Sequence, residues 1–223
     1  MDILDNGRKV IRIVITGGPC GGKTTSMKHL LEELNKEEYR KDYAVLVMPE
    51  TATQLIGCGI APWNCESPYS YQVLQMKLQM CKEEVYAVAA EEISKKEDKS
   101  VIILYDRGMM DNKAYLSDED FIIIMEEMGL SETECLSWYD AVFHLTTAAK
   151  GAEAFYTCEN NTTRTETPEE AAARDDHSLH AWEDHPNHIV FDNSGSFQDK
   201  LDLLLAELRR FLKEGVCHGD GSL

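Results

Sequence analysis

Basic residues are scarce in this chain. Its 223 residues include 22 Lys and Arg against 40 Asp and Glu, which gives a formal charge of −18. Positions 114–149 hold eight acids and no Lys or Arg. Such a surface repels phosphate backbones and anionic lipids, which argues against general nucleic-acid or membrane-surface binding. Two interpretations of the acidic stretch 114–149 remain: a solubilising surface, or a docking face for a basic protein partner.

Paired cysteine motifs and long apolar runs are also missing. The seven cysteines form no CxxC pair, so neither a disulfide framework nor a zinc ribbon is indicated. No apolar run approaches the roughly 18 residues that a membrane span requires, and the first residues do not resemble a signal peptide. We therefore expect a cytoplasmic protein without a transmembrane segment.

The signature of the classical GTPases is absent as well. Asp106 does not begin an Asp-x-x-Gly motif, and the Asn112-Lys113 pair is not followed by the Asp that recognises guanine. The choice between ATP and GTP therefore stays open.

Apolar strands alternate with helical patterns along the chain. Short apolar runs at 10–16, 43–48, 101–105, 141–145 and 189–191 predict five strands. Alternating strands and helices predict an α/β fold with a parallel sheet covered by helices on both faces. We expect a single P-loop nucleotide-binding domain over 1–223, with its core at about 9–213, a lid at about 147–180 and a tail at 214–223.

A long helix is predicted from about Ser67 to Lys96. Six apolar residues there recur at spacings of three and four, which places them on one helical face: Tyr71, Leu74, Leu78, Cys81, Val85 and Val88.

A glycine-rich phosphate loop follows the first of these strands. Gly17-Gly18-Pro19-Cys20-Gly21-Gly22-Lys23-Thr24 matches the Walker A motif in full, between a strand and a helix. Backbone N–H groups of such a loop surround phosphate oxygens, and the helix that begins at Lys23 adds its positive end. We expect ATP or GTP to bind at 17–25, including Thr25. Lys23 would contact the β- and γ-phosphates, and Thr24 would ligate Mg²⁺.

Acidic residues end two of the other strands. Asp106 follows the third strand in the Walker B position and is a second candidate ligand for Mg²⁺. Arg107 comes next and could stabilise charge on a transferred phosphoryl group. Glu50, after the second strand, could accept a proton from an attacking hydroxyl. We assign Glu50, Arg107 and Asp111 to the site of a small-molecule acceptor.

The polar segment after the fourth strand has no secondary-structure period. Segments of this length without structure are usually functional or disordered. Its scarce basic residues, Lys150, Arg164 and Arg174, are candidates to close over the triphosphate.

Seven motifs together resemble one P-loop family. It is the AAA-like family named for the nicotinamide-riboside kinase domain of NadR, which also contains the P-loop domain of the fly TRPL-translocation-defect protein. The resemblance covers about 9–212 and lies in ITGGPCGGKTT, PET, DRGMMD, TAAKGAEAFYT, NNTTR, AWEDHPNH and VFDNS.

The resemblance implies a nucleoside- or nucleotide-kinase-like fold. In the related nucleoside kinases an acid after strand two faces the substrate hydroxyl, and Glu50 matches it. A glutamine on the long helix recognises the base, which makes Gln72, Gln75 and Gln79 candidates. Those kinases commonly have Ser after the acid–Arg pair, whereas this chain has Gly108.

The expected function is a Mg²⁺-dependent phosphotransferase that moves the γ-phosphate to a nucleoside-like hydroxyl. A nucleotide-dependent protein-binding module and an ATP or GTP hydrolase are the alternatives.

Overall fold

The computed structural model describes residues 1–152 and 167–217 of the chain. It is an α/β fold in which helices cover both faces of one sheet. The strands are β1 (Asp2–Ile3), β2 (Lys9–Thr16), β3 (Tyr43–Met48), β4 (Ser100–Asp106), β5 (Ala141–Leu145) and β6 (His188–Phe191). The helices are α1 (Lys23–Leu34), α2 (Glu37–Arg40), α3 (Thr51–Gly57), α4 (Pro68–Glu97), α5 (Asp118–Glu127), α6 (Glu132–Ser137), α7 (Pro168–Ala181) and α8 (Phe197–Cys217), with a 3₁₀ helix at Met109–Tyr115.

The five predicted strands form a parallel sheet, as expected from the sequence. Their order in the sheet is β3-β4-β2-β5-β6. The register pairs Ile15 with Asp106 and Thr16 with His144, so β4 and β5 end beside the end of β2. The carboxyl ends of the strands therefore meet at one edge, where open α/β sheets bind ligands. The sequence did not predict β1, a two-residue strand that pairs antiparallel with β2.

Strand β2 separates two hydrophobic clusters. Val10 and Val14 face the side covered by α4, α5, α6 and α7, which includes Met76, Phe121 and Trp182. Ile11, Ile13 and Ile15 face the side covered by α1 and α8, which includes Leu30 and Leu208. Because both faces of a parallel strand are buried, its sequence is almost continuously apolar.

Helix α4 is bounded by clear local signals. The Ser67 hydroxyl accepts a hydrogen bond from Ser70 N, Pro68 occupies the first turn, and Asp98 ends the helix in a left-handed conformation. Most of the apolar series on α4 does not face the core, however: Tyr71 is buried, but Leu74, Val85 and Val88 are 45%, 63% and 62% exposed. The predicted helix is correct, but its buried side carries polar residues, among them Gln72, Gln75 and Gln79.

Several short elements lay outside the sequence prediction: α2, α3 and the 3₁₀ helix. Helix α8 also continues to Cys217, into the tail predicted at 214–223. Within 1–152 and 167–217, no helix combines the length and the hydropathy needed to cross a membrane.

Candidate functional site

The phosphate loop lies between β2 and α1, against the end of β5. Gly17 has a φ of +124°, and a Cβ atom there would lie 2.1 Å from the carbonyl oxygen of Leu145. A Cβ at Gly21 would lie 2.4 Å from the same oxygen. Only glycine fits at either position, because any side chain would overlap the backbone of β5. Cys20, in the middle of the loop, has a φ of +56°, a left-handed conformation that few non-glycine residues adopt.

The side chain of Lys23 lies against the phosphate loop. Its Nζ donates to the carbonyl oxygens of Gly17 and Gly18, at 2.8 Å each. The side chains of Thr24 and Thr25, at the start of α1, are exposed. The loop thus presents a cation, hydroxyl groups and the amino end of a helix at one place, a combination that suits a phosphate chain.

Asp106 ends β4 one strand away from the phosphate loop. Burial raises the pKa of its carboxyl, the nearby charge of Glu50 raises it further, and Lys23 and Arg107 oppose this shift. A bound cation would relieve the repulsion between these carboxylates. Carboxylate and hydroxyl oxygens are the ligands that Mg²⁺ prefers, so the chemistry of Asp106 and Thr24 suits this ion.

Arg107 joins two carboxylates. Its Nε donates to Glu50 Oε1 at 2.8 Å, and its Nη1 donates to Asp111 Oδ1 at 3.1 Å. Its backbone lies in the left-handed region, with a φ of +69°. Arg107 and Asp111 are buried, whereas the Glu50 side chain remains 27% exposed. The strained backbone and the two ion pairs aim the guanidinium into the site.

Glu50 stays ionised. Burial by itself would raise its pKa, but the charge of Arg107, a hydrogen bond from Thr53 and the charge of Lys23 outweigh burial and lower the pKa to about 2. Asp111 is held from several sides, since it also accepts hydrogen bonds from Gly108 N at 2.9 Å and Trp182 Nε1 at 3.3 Å. Glu50 is therefore the carboxylate with room to meet a ligand, and Asp111 supports Arg107.

A cavity of about 290 Å³ opens beside the phosphate loop. This volume lies at the lower end of the usual range for small-molecule sites. Its walls come from the loop, α3, α4 and the 3₁₀ helix: Pro19, Glu50, Thr51, Ala52, Thr53, Ile56, Pro62, Tyr71, Gln72, Gln75, Gln79, Arg107, Gly108, Asp111, Asn112 and Tyr115. All six residues that the sequence assigned to the acceptor site are among them.

The three glutamines on α4 differ in their partners. Gln75 Nε2 donates to Asn112 Oδ1 at 2.7 Å, and Gln79 Oε1 accepts from Thr51 Oγ1 at 2.5 Å. Gln72 Oε1 is buried and has no hydrogen-bond partner among the described residues. A buried acceptor without a partner is costly, so its presence on the cavity wall points to a ligand.

Tyr71 supplies a second polar group of this kind. Its hydroxyl is also buried without a partner in the described part of the chain. Burial, followed by the charge of Glu50, raises its pKa to about 12, so the hydroxyl keeps its proton. A ligand would thus meet a hydroxyl and an amide oxygen on adjacent residues of α4.

The three basic residues assigned to the lid differ in where they lie. Lys150 Nζ donates to Asp175 Oδ2 at 2.9 Å and to Asp176 Oδ1 at 2.6 Å. The guanidinium of Arg174 lies 4.4 Å from the ring centre of Tyr115 and donates to the Ala114 carbonyl at 2.5 Å. Arg164 lies outside the residues that the structure describes.

The sequence did not identify Asp175 as a residue of the site, although its side chain contacts the phosphate loop. The buried carboxylate of Asp175, on α7, accepts a hydrogen bond from Gly18 N of the phosphate loop at 2.7 Å. The sequence contains 40 Asp and Glu residues, and Asp175 follows directly after Arg174 in an ordinary helical segment. No local pattern distinguishes it, because its role comes from the packing of α7 against the loop.

The packing around Gly108 explains why this chain lacks the serine that nucleoside kinases commonly have after the acid–Arg pair. A Cβ at this position would lie 2.8 Å from Cη2 of Trp182 and 3.1 Å from Cζ of Tyr139. Trp182 is fully buried, as expected for a residue of the core. Its ring fills the space that a serine side chain would need.

A family model described as an AAA domain matches residues 12–200 of the 223. The match begins inside β2 and ends at the start of α8, so it includes the phosphate loop, the cavity and α7. No curated protein matches the chain.

Proposed function

The chain belongs to the AAA-domain family whose model matches it, and we propose that it is a Mg²⁺-dependent kinase for a small hydroxyl-bearing acceptor. Nucleotide binding agrees with the family and with the phosphate loop. The observation that best supports the kinase proposal is the cavity beside that loop. It brings Glu50, Arg107 and two polar groups that have no partner among the described residues next to the phosphate site. A protein that only hydrolysed its nucleotide would have no use for such a cavity.

The nucleotide triphosphate, ATP or GTP, binds at 17–25 in this proposal. Lys23 leaves the carbonyl groups of Gly17 and Gly18 and contacts the β- and γ-phosphates. Thr24 and Asp106 would hold Mg²⁺, which would neutralise charge on the phosphates.

Glu50 orients the acceptor hydroxyl. A carboxylate with a pKa of about 2 is a weak base, so it is suited to accepting a hydrogen bond rather than to removing a proton early in the reaction. Phosphoryl transfer depends mainly on positioning and on stabilising charge. Arg107, fixed between Glu50 and Asp111, supplies positive charge for the transferred group.

The charge of the cavity favours a neutral or cationic acceptor. Among the described residues, its walls carry two carboxylates, Glu50 and Asp111, and one cation, Arg107, which both carboxylates already engage. An acceptor that carried its own phosphate would find no further Lys or Arg among the lining residues that the structure describes. A nucleoside with an amide or amino group to donate to Gln72 Oε1 fits this charge and this chemistry.

Measurement of ADP and GDP release tests the proposal. Purified protein with Mg²⁺ and ATP or GTP is assayed with a panel of nucleosides, nicotinamide riboside, nucleoside monophosphates and no acceptor, with Lys23→Ala as the blank. We expect release that depends on a nucleoside and not on a monophosphate. Release independent of every acceptor would instead support a hydrolase.

A nucleotide-dependent binding module is the remaining candidate, and its docking face would be narrower than 114–149. Within that stretch β5 is buried, and Glu132 forms an ion pair with Lys113 at 2.9 Å. Exposed acids are concentrated on α5, at Asp118, Glu119, Glu126 and Glu127. Tight nucleotide binding without release, together with a partner whose affinity changes with nucleotide and with charge reversal on α5, would favour this candidate.

A further inference from the structure

Asp175 is an unusual residue to find against a phosphate loop. Its side chain is 2% exposed, and both of its oxygens have partners. Oδ1 accepts from Gly18 N at 2.7 Å and from Thr147 N at 3.2 Å, and His144 Nε2 lies 3.1 Å away. Oδ2 accepts from Lys150 Nζ at 2.9 Å. One carboxylate therefore joins the phosphate loop, the residues after β5 and helix α7.

The contact with the loop is close. A Cβ on Gly18 would lie 2.7 Å from Cβ of Asp175 and 3.1 Å from Cβ of Thr147. Thr147 also holds the loop directly, because its hydroxyl donates to the Pro19 carbonyl. The loop between β2 and α1 is thus held from outside by residues far away in the sequence, and Asp175 supplies the acceptor for its backbone.

A buried negative charge beside a triphosphate site carries an electrostatic cost. The carboxylate would repel the phosphates through a medium that screens charge poorly. Lys150 lies where it offsets this charge. Its ammonium contacts Asp175 and the exposed Asp176, and its side chain is 29% exposed.

We propose that Asp175 is a positioning residue that holds the phosphate loop in its binding conformation, and that Lys150 serves nucleotide binding by neutralising this carboxylate. The inference rests on the proposed function in so far as the ligand is ATP. It gives Lys150 a role different from the direct phosphate contact that the sequence suggests.

The positioning of the phosphate loop by Asp175 is tested in the protein without nucleotide. Amide hydrogen exchange at Gly18 and Thr147 is compared in the wild type, Asp175→Ala and the control Glu169→Ala, at an exposed position of α7. We expect exchange at both amides to rise at least about tenfold in Asp175→Ala only, because the buried acceptor is gone. Equal protection in all three proteins would overturn the positioning role.

A double-mutant cycle tests the role of Lys150. The dissociation constant for ATP is measured for Lys150→Met, Asp175→Asn, the double variant and the control Glu169→Gln, each confirmed as folded by thermal unfolding. We expect Lys150→Met to weaken binding about tenfold when Asp175 is present and less than about threefold when Asn replaces it. Asp175→Ala should bind more weakly than Asp175→Asn, which keeps an oxygen for the two amides.

Two results would contradict this part of the inference. An equal effect of Lys150→Met in both backgrounds would mean that the ammonium contacts phosphate itself. Wild-type affinity in a folded Asp175→Ala would mean that the carboxylate positions nothing. If the wild type fails to bind ATP, the proposed function fails, and the exchange experiment still decides whether Asp175 holds the loop.

Discussion

Replacement of Glu50 by Gln separates the acceptor site from the nucleotide site. In the wild type, Arg107 Nε donates to Glu50 Oε1 at 2.8 Å. The variant keeps the shape of the side chain and an oxygen that can accept this hydrogen bond, but it removes the negative charge that faces the cavity. We expect acceptor-dependent transfer to fall about 100-fold. This is the lower end of the range for positioned acids and bases, because a group with a pKa of about 2 accepts little of the proton.

The cost to stability follows from the same contact. Arg107 is buried and would lose one of its two ion pairs while keeping the one with Asp111 at 3.1 Å. We expect a loss of about 1 to 2 kcal/mol in the free energy of unfolding, which lowers Tm by about 4 °C in a protein of this size. ATP affinity should change less than about threefold, since the contacts of the phosphate loop remain.

The assay combines acceptor-dependent ADP release, ATP binding by calorimetry and thermal unfolding. Glu38→Gln, the same change on the exposed surface of α2, is the matched control and should leave all three unchanged. Because the Glu50 carboxylate is ionised throughout, the wild-type rate should show no inflection from this group between about pH 5 and pH 8. Full transfer activity in a folded Glu50→Gln would refute the assignment of Glu50 to the acceptor.

Three further changes test other parts of the structure. Gly17→Ala should destabilise the fold by about 3 kcal/mol or more in urea unfolding, because its Cβ would lie 2.1 Å from a backbone oxygen. The control Gly57→Ala, whose Cβ would have no atom within 4 Å, should be neutral or stabilising. Equal effects of the two substitutions would contradict the close approach at Gly17. Gln72→Leu should leave Tm unchanged or raise it, since Gln72 Oε1 has no partner among the described residues. The KM for the acceptor should rise about tenfold. An unchanged KM would show that Gln72 does not contact the acceptor. Hydrogen bonds from Arg209 and Lys36 lower the pKa of the Glu33 carboxyl from 4.5 to about 2 against the effect of burial. The ionised group therefore adds stability above about pH 4.5 that disappears as the pH falls toward 2, and Glu33→Gln should lose about 1 to 2 kcal/mol at pH 7 but little at pH 2. A pH-independent effect in urea titrations would show that this ion pair contributes nothing.

Local sequence patterns predicted those features that local chemistry controls. The phosphate loop combines glycines, a lysine and a hydroxyl residue between a strand and a helix, and these requirements are met within eight consecutive residues. The parallel sheet was predictable for a similar reason. A strand buried on both faces must be mainly apolar, as the buried stretches at 13–15 in β2 and 101–105 in β4 are. Glu50, Asp106 and Arg107 could be placed near one another because parallel strands end at the same edge.

Features that depend on packing between distant segments were not predictable. The apolar spacing along α4 identified a helix but not which side is buried, because the buried side holds glutamines that line a cavity. Asp175 could not be distinguished from other helical acids without knowing that α7 lies against the phosphate loop. The partners of Arg174 depend in the same way on contact between α7 and the 3₁₀ helix.

The contact between Gly108 and Trp182 has a consequence for how related sequences vary. A side chain at position 108 and an indole at position 182 compete for the same space, so the two positions are expected to co-vary. Chains with Ser after the acid–Arg pair should carry a smaller residue at the end of α7, and chains with Trp there should keep glycine. A search that requires the serine would miss the second group, whereas the paired pattern would find both.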